Sequence, residues 1–474
     1  MATERKPTRR ELQGPGRRQI VADFDGGTIT SDGGALLLSQ VDRHLGLCRR
    51  LADAFVDARD PERIEHSVEE LIRQRVFALA SGYEDLNDHD LLRKDPALAA
   101  FVGKTDPTGQ DRVRQQDHGA PLASRSTLNR LDHALDAQGG EDRYHRIVAD
   151  PEAVESFLVD VFLDSFEEVP ERIVLDFDAT DNPIHGEQEG RFFHGYYGCY
   201  CYLPLYVFCG RHILCAKLRP SNIDASAGSL EVLEALVDQI RQRWSEVEIL
   251  VRADSGFARD RLMAWCEANE VDYVLGLARN SRLQALLDPT FAELEAVLEE
   301  NADAARRRFA DLRYQTCNSW SRERRVIGKA EITRDSRNPR FVVTTLDVEE
   351  HDAQHVYEQI YCARGEMENR IKEQQLDLFS TRTSGHWMRV NQVRLWFSAV
   401  AYMLFEQLRR LALAGTDLER ARCSTIRSKL IKIGTRVRVT VRRIWLSMSS
   451  AYPYQDLFWQ VLGRLDRLGP PRYG

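Results

Sequence analysis

Hydrophobic positions along the chain keep one period for the first third and then change it. From about residue 33 to 165 they recur at helical spacing, as in Ile64, Val68, Leu71, Ile72 and Val76. Leu128, Leu131 and Leu135 make a second helical stripe behind the start signal Ser124-x-Ser126-Thr127. Between these stripes, 104–123 is rich in Asp, Gly, Gln and Pro and reads as a loop. At Arg172 the period becomes two. Residues 172–179 (RIVLDFDA) predict a strand, and 196–218 a β-hairpin turning at Gly210-Arg211. The pattern then predicts a helix over 229–244, a strand over 247–253, a helix over 259–269 and a strand over 271–278. After Asn280 come a short helix and β-rich sequence from about 306 to 347. Two long helical patterns follow, near 361–378 and 387–413, before an end, 416–474, that is basic and then aromatic. This is a mixed α/β pattern, neither all-parallel nor all-antiparallel.

Length and composition narrow the class. The 474 residues suggest two to four domains, at roughly 150 residues per domain. The longest apolar stretch, 395–404, is far short of the roughly 20 residues of a membrane span. The charged opening Met1-Ala2-Thr3-Glu4-Arg5-Lys6 leads into no apolar core, so a cytoplasmic protein without a secretory signal is expected. Nine cysteines at irregular spacing, without a C-x-x-C pair, point to buried reduced thiols rather than disulfides or a structural zinc. The net charge of −8 does not advertise nucleic-acid binding, but a binding face needs only a local basic patch. Two are present. Residues 1–20 form an arm with Arg5, Lys6, Arg9, Arg10, Arg17 and Arg18, expected to be mobile. Residues 420–443 carry Arg420, Arg422, Arg427, Lys429, Lys432, Arg436, Arg438, Arg442 and Arg443 without one acid. In a strand, Arg436, Arg438 and Arg442 would line one face with valines on the other, a phosphate-binding surface.

Three acidic positions carry candidate chemistry. Alternation puts Val174, Asp176 and Asp178 on one face of the first strand, opposite Ile173, Leu175 and Phe177. Carboxylates within an apolar strand are costly unless paired, metal-bound or open to water. Asp254 stands where the apolar run Ile249–Ala253 ends and a Gly-containing loop begins, a favoured place for a site in α/β folds and equally for a helix-capping Asp. In 361–372 (YCARGEMENRIK), Tyr361, Arg364, Glu368 and Lys372 share a helix face at roughly 100° per residue, with Glu366 about 200° from Glu368. A solvated Arg–Glu–Lys ladder would produce the same spacing.

Together, Asp178-Ala179-Thr180, the strand-ending Asp254 and the Tyr361-x2-Arg364-x3-Glu368 helix resemble the Asp–Asp–Glu transposases of bacterial insertion sequences. They are similar to the group with an RNase H-like core and a β-rich insertion between the second Asp and the Glu, here 114 positions apart, with Asp254 and Glu368 at the ends of the gap. The resemblance covers about 170–415, and the opening 22–47 also looks like the start of such proteins. Where the family carries a Lys seven positions after the Glu, this chain has Gln375, leaving Lys372 to supply the charge. Asp176 competes with Asp178 as the first ligand; the small residue and Thr that follow favour Asp178.

The resemblance implies an α/β fold: an RNase H-like mixed-sheet catalytic core interrupted by a β-rich insertion, with a helical N-terminal region and a basic C-terminal region. The expected segments are the arm 1–20, a DNA-end-binding region 21–165, core 166–280, insertion 281–354, core helices 355–415 and a DNA-contact or dimer region 416–474. It implies cut-and-paste DNA transposition at terminal inverted repeats, by phosphodiester hydrolysis and then strand transfer. Asp178, Asp254 and Glu368 would hold two Mg²⁺ ions per site (Mn²⁺ as a substitute), Asp178 bridging both, with Arg364 and Lys372 on a phosphate and Tyr361 positioning the backbone. Such transposases cut the second strand through a hairpin, for which Trp320 would stack on an extruded base. DNA contacts are expected from Arg427, Lys429, Lys432, Arg436, Arg438, Arg442 and Arg443, and from a recognition helix within 124–136. The partners implied are double-stranded DNA, both element ends and target, and a second copy of the chain on paired ends, in a bacterial cytoplasm at the nucleoid. An RNase H-like nuclease that does not join DNA, and a catalytically silent DNA-binding protein, remain alternatives.

Overall fold

A computed structural model describes residues 9–135, 145–301, 305–333 and 336–469. The chain forms two compact units, Ala149–Ala399 and a second made of Met1–Val148 with Val400–Gly474. The helical N-terminal region and the basic C-terminal region, at the two ends of the chain, build one unit. The helix Pro151–Leu163, expected with the N-terminal region, belongs to the other.

The central unit is organised by an eight-stranded mixed sheet. Its strands are β1 (Arg172–Ala179), β2 (Leu205–Cys209), β3 (His212–Lys217), β4 (Glu248–Ala253), β5 (Asp272–Leu277), β6 (Arg307–Tyr314), β7 (Arg324–Glu331) and β8 (Arg340–Thr344), in the order β3-β2-β1-β4-β5-β8-β7-β6. β1, β4 and β5 run parallel, and the other neighbours are antiparallel. This mixed α/β arrangement matches the expected RNase H-like core. The inserted strands do not stand apart from it: β8 pairs with β5, Val274 opposite Thr344, so the insertion widens the core sheet. The helix before it, Ser281–Glu300, is long rather than short, and it buries Leu283, Leu287, Phe291 and Leu294.

Alternation decides the layers. Ile173, Leu175 and Phe177 of β1 with Ile249, Val251 and Ala253 of β4 face one core, closed by helices Pro151–Leu163, Ser229–Arg243, Asp260–Ala268 and Ser281–Glu300. Leu250, Val274, Ile327 and Val342 face the other side, under Val356 and Tyr357. The expected hairpin at 196–218 is shorter, β2 to β3, turning at Gly210-Arg211. Cys199–Tyr202 pairs instead with Asn182–Pro183 and Phe192–His194 in a separate three-stranded sheet. Every described cysteine is a free thiol, and six are buried.

In the second unit, the helix Val68–Ser81 starts at a capping box: Ser67 Oγ accepts from Glu70 N at 3.2 Å, and Glu70 Oε2 accepts from Ser67 N at 2.9 Å. Helix Arg125–Asp132 turns Leu128 and Leu131 into the core. The opening segment gains a structural reason. Gly33 and Gly34 lie so close to the C-terminal part of the chain that an added Cβ would stand 1.9 Å from Thr435 Oγ1 and 1.7 Å from the Leu430 carbonyl oxygen, respectively. Beside them, Lys432 pairs with Asp32 at 2.7 Å and lies over the Tyr83 ring at 4.2 Å. Of the expected arm, residues 1–8 fall outside the described residues, whereas Arg10–Gln13 and Gln19–Ala22 form an exposed hairpin. No helix among the described residues is long and apolar enough to cross a membrane.

Candidate active site

β1 and β4 are parallel neighbours, with Phe177 opposite Ala253. Asp178 and Asp254 therefore occupy matching positions at the C-terminal ends of adjacent strands, which stand about 4.8 Å apart. Asp254 Oδ1 accepts from Gly256 N at 2.8 Å, which fixes the turn, and Phe257 then packs on Phe177 across the helical core. Asp178 Oδ1 accepts from its neighbour Ala179 N at 3.0 Å.

The third carboxylate comes from a segment that departs from α-helix. Residues Val356–Tyr361 form a π-helical stretch, Cys362–Arg364 a tight 3₁₀ turn and Gly365–Lys372 a regular helix. Such interruptions are frequent at functional sites. Arg364 reaches both sides: Nη1 lies 3.6 Å from Asp178 Oδ2 and Nη2 lies 3.7 Å from Glu368 Oε1. Nη1 is buried and has no hydrogen-bond partner among the described residues, so a cationic donor is left aimed into the carboxylate site. The Glu368 side chain is 50% exposed against 14% for Asp178. Tyr361 packs against β5, its Oη 2.6 Å from where a Cβ on Gly276 would stand.

Burial raises the Asp178 carboxyl to about 6, with Arg364 opposing and the charges of Asp254 and Glu368 adding to the rise. Burial raises the Tyr361 hydroxyl, with Arg364 opposing and Asp254 adding. Mutually repelling carboxylates in a partly dry site with oxygen-only donors fit a divalent cation that prefers oxygen ligands. The fit is partial: among the described residues no three acidic, His or Cys side chains stand at metal-ligating spacing.

Asp176 and Asp178 differ in their pairing. Asp176 is buried and held by both nitrogens of the Arg252 fork, at 2.6 and 2.8 Å. Arg252 Nη1 also donates to the Ile360 carbonyl at 2.7 Å. Asp176 is thus occupied, and through Arg252 it anchors the backbone next to Tyr361. This positioning pair was missed; the signal was an Arg two residues before Asp254, hence on the Asp254 face of an apolar strand. Gln375 Nε2 donates to the Asp181 carbonyl at 3.0 Å, tying the Glu368 segment to the loop after β1. Lys372 is exposed and makes no ion pair among the described residues, so the expected four-residue face reduces to Tyr361, Arg364 and Glu368.

Trp320 requires correction. It is 7% exposed, part of the helix-side core, edge-on to Tyr314 at 5.6 Å and covered by Arg324 at 5.4 Å. A ring so enclosed offers no open face to a base. The basic residues divide. Arg427 donates to the Ala80 carbonyl at 2.7 Å, and Lys432 pairs with Asp32, so both hold their own unit together. Lys429 lies over Tyr454 at 5.1 Å. Arg436 and Arg438 are exposed on the strand Thr435–Val439, which buries Thr435 and Val437. That strand ends before Arg442, which is exposed with Arg443 in the following turn rather than on the expected strand face. Arg438 and Arg443 flank Trp445 at 5.3 and 5.6 Å.

The family described as transposase DDE domain group 1 matches residues 13–470. No curated protein matches the chain. Among solved structures, a chain of a piggyBac transposase synaptic complex with hairpin DNA, determined by cryo-EM, is similar at 10% identity and a TM-score of 0.40, over 94% of this chain and 83% of that one. Transposases of this family cleave DNA with divalent metal ions. With the family matched from residue 13 to residue 470, the chain belongs to the DDE transposases and is a DNA-cleaving transposase.

Proposed function

We propose that this transposase moves a bacterial insertion sequence by cut-and-paste, freeing a 3′-hydroxyl at each terminal inverted repeat and joining it to target DNA, with Asp178, Asp254 and Glu368 as its metal-holding triad. The observation that carries the reading is Arg364, placed between Asp178 and Glu368 with Asp254 on the neighbouring strand end. Two Mg²⁺ ions, or Mn²⁺, held by the three carboxylates would supply an activated water and stabilise the leaving oxygen. The chain's own groups do the rest. Nη1 of Arg364, which makes no hydrogen bond among the described residues and stands 3.6 Å from Asp178, binds a phosphate oxygen. Tyr361, wedged against Gly276, fixes where the DNA backbone lies. Arg252 and Asp176 keep that segment in register. Lys372 meets DNA further along the strand. Arg436, Arg438, Arg442 and Arg443, with Lys429 and the exposed side of helix Arg125–Asp132, contact duplex phosphates. Two copies act on paired ends at the nucleoid, since two ends must be cut together.

Labelled DNA carrying the sequences that flank the coding region tests this, in Mg²⁺ and in EDTA. Wild type should nick and join only with metal. Asp178→Asn, Asp254→Asn and Glu368→Gln should each lose at least about a thousandfold in cleavage while still shifting the DNA in a gel. Cleavage without joined products would make the protein a nuclease; binding without cleavage by wild type would make it catalytically silent.

A further inference from the structure

Beside the carboxylates, the small sheet formed by Asn182–Pro183, Phe192–His194 and Cys199–Tyr202 exposes an unusual number of rings. Phe192, Phe193, Tyr196 and Tyr200 are all exposed, Tyr196 at 86%. Solvated single aromatics are common, but four within nine residues form a patch. Its tip is built into the active site. Tyr197 Oη donates to the carbonyl of Ala179, the residue after Asp178, at 3.2 Å. Burial and the charges of Asp181, Asp178 and Asp254 all hold that hydroxyl protonated. Tyr197 in turn meets the Tyr196 ring edge-on at 5.0 Å and the His194 ring at 4.9 Å. The tip is also held from behind: Gly198 N donates to the His194 carbonyl at 2.8 Å, Tyr202 Oη to the Glu189 carbonyl at 2.6 Å, and Glu189 N to the His386 carbonyl at 2.8 Å.

Resting on the transposase reading, we propose that the Tyr196–Tyr197 tip is a stacking platform for a nucleobase next to the scissile phosphate. The contacts run without a gap from the Ala179 carbonyl, next to Asp178, to Tyr197 at 3.2 Å and from the Tyr197 ring to the Tyr196 ring at 5.0 Å. A phosphate placed at the carboxylates delivers its neighbouring base to these rings. Every base has a π-face, so stacking needs no sequence-specific hydrogen bonds. Extruding a base costs stacking and pairing energy, which an open tyrosine ring repays. The platform takes over the role expected of the enclosed Trp320.

The test uses the full chain in Ca²⁺ with the flanking-end duplex, carrying 5-iodouracil at each of the three nucleotides on either side of the cleavage point. Irradiation should crosslink one of these positions to Tyr196 or Tyr197. In Mg²⁺, Tyr196→Ala should lower strand cleavage or joining on the order of tenfold, with Tyr196→Phe restoring it and Val169→Ala, at an exposed position before the start of β1 and away from its Asp178 end, changing neither. Crosslinks confined to other segments, or full activity in Tyr196→Ala, would overturn the platform while leaving wild-type cleavage, and so the transposase reading, intact. Loss of activity in Tyr196→Ala that Tyr196→Phe fails to restore would also overturn it, since the hydroxyl rather than the ring would then be at work.

Discussion

At the residue scale, the proposed chemistry rests first on one partly buried acid. Asp178 sits above its ordinary range because burial and two neighbouring carboxylates oppose its charge. Its value rises from 3.8 unfolded to about 6 folded, so the folded state binds its proton more tightly. Without metal, that cost is absent below pH 4, grows between about 4 and 6, and is complete above 6, at about 3 kcal/mol. Asp178→Asn should therefore raise unfolding free energy by about 1–3 kcal/mol at pH 8, less the lost pairing with Arg364, and leave it unchanged at pH 4. Urea titrations in EDTA at both pH values check this, and equal effects at the two would refute it. Burial raises Asp176 as well, but there the paired Arg252 fork opposes the rise directly. Alternation put both aspartates on one face, the residues after Asp178 favoured it, and the partner across the sheet shows how the two differ.

At the element scale, the site is an agreement between two strand ends and one irregular helical segment. The strands Arg172–Ala179 and Glu248–Ala253 were readable because alternation and apolar runs are local. The π stretch was not: it widens the turn, and its Ile360 carbonyl accepts from Arg252 of β4 rather than from a neighbour in sequence. Gly276 makes the tight approach possible. A Cβ there would stand 2.6 Å from Tyr361 Oη and 2.9 Å from Ser255 N. Gly276→Ala should cut cleavage more than about tenfold while costing about 1–3 kcal/mol of stability. Single-turnover cleavage beside thermal unfolding measures both; normal cleavage would show that Tyr361 and the Asp254 turn tolerate displacement.

At the scale of the whole molecule, the two ends of the chain are one folding unit, clamped where Gly33 and Gly34 meet Leu430–Thr435. Backbone stands in the way of any side chain at Gly34, so the clamp cannot yield by a rotamer change. Gly34→Val should destabilise this unit by at least about 3 kcal/mol and open 1–148 and 400–474 to protease, while 149–399 stays resistant. Uniform resistance across the chain would show that the close approach is dispensable. Period and turn residues are properties of neighbours in sequence, and through them the chain alone specified most of the order of strands and helices, and the three acids in their order. Packing alone could decide the rest. Whether an arginine holds a carbonyl, as Arg427 does, or faces solvent, as Arg436 does, depends on residues hundreds of positions away. Packing also decides Trp320, which its near neighbours Tyr314 and Arg324 cover only because the ring is part of the helix-side core, and Asp176, whose partner Arg252 lies on the next strand.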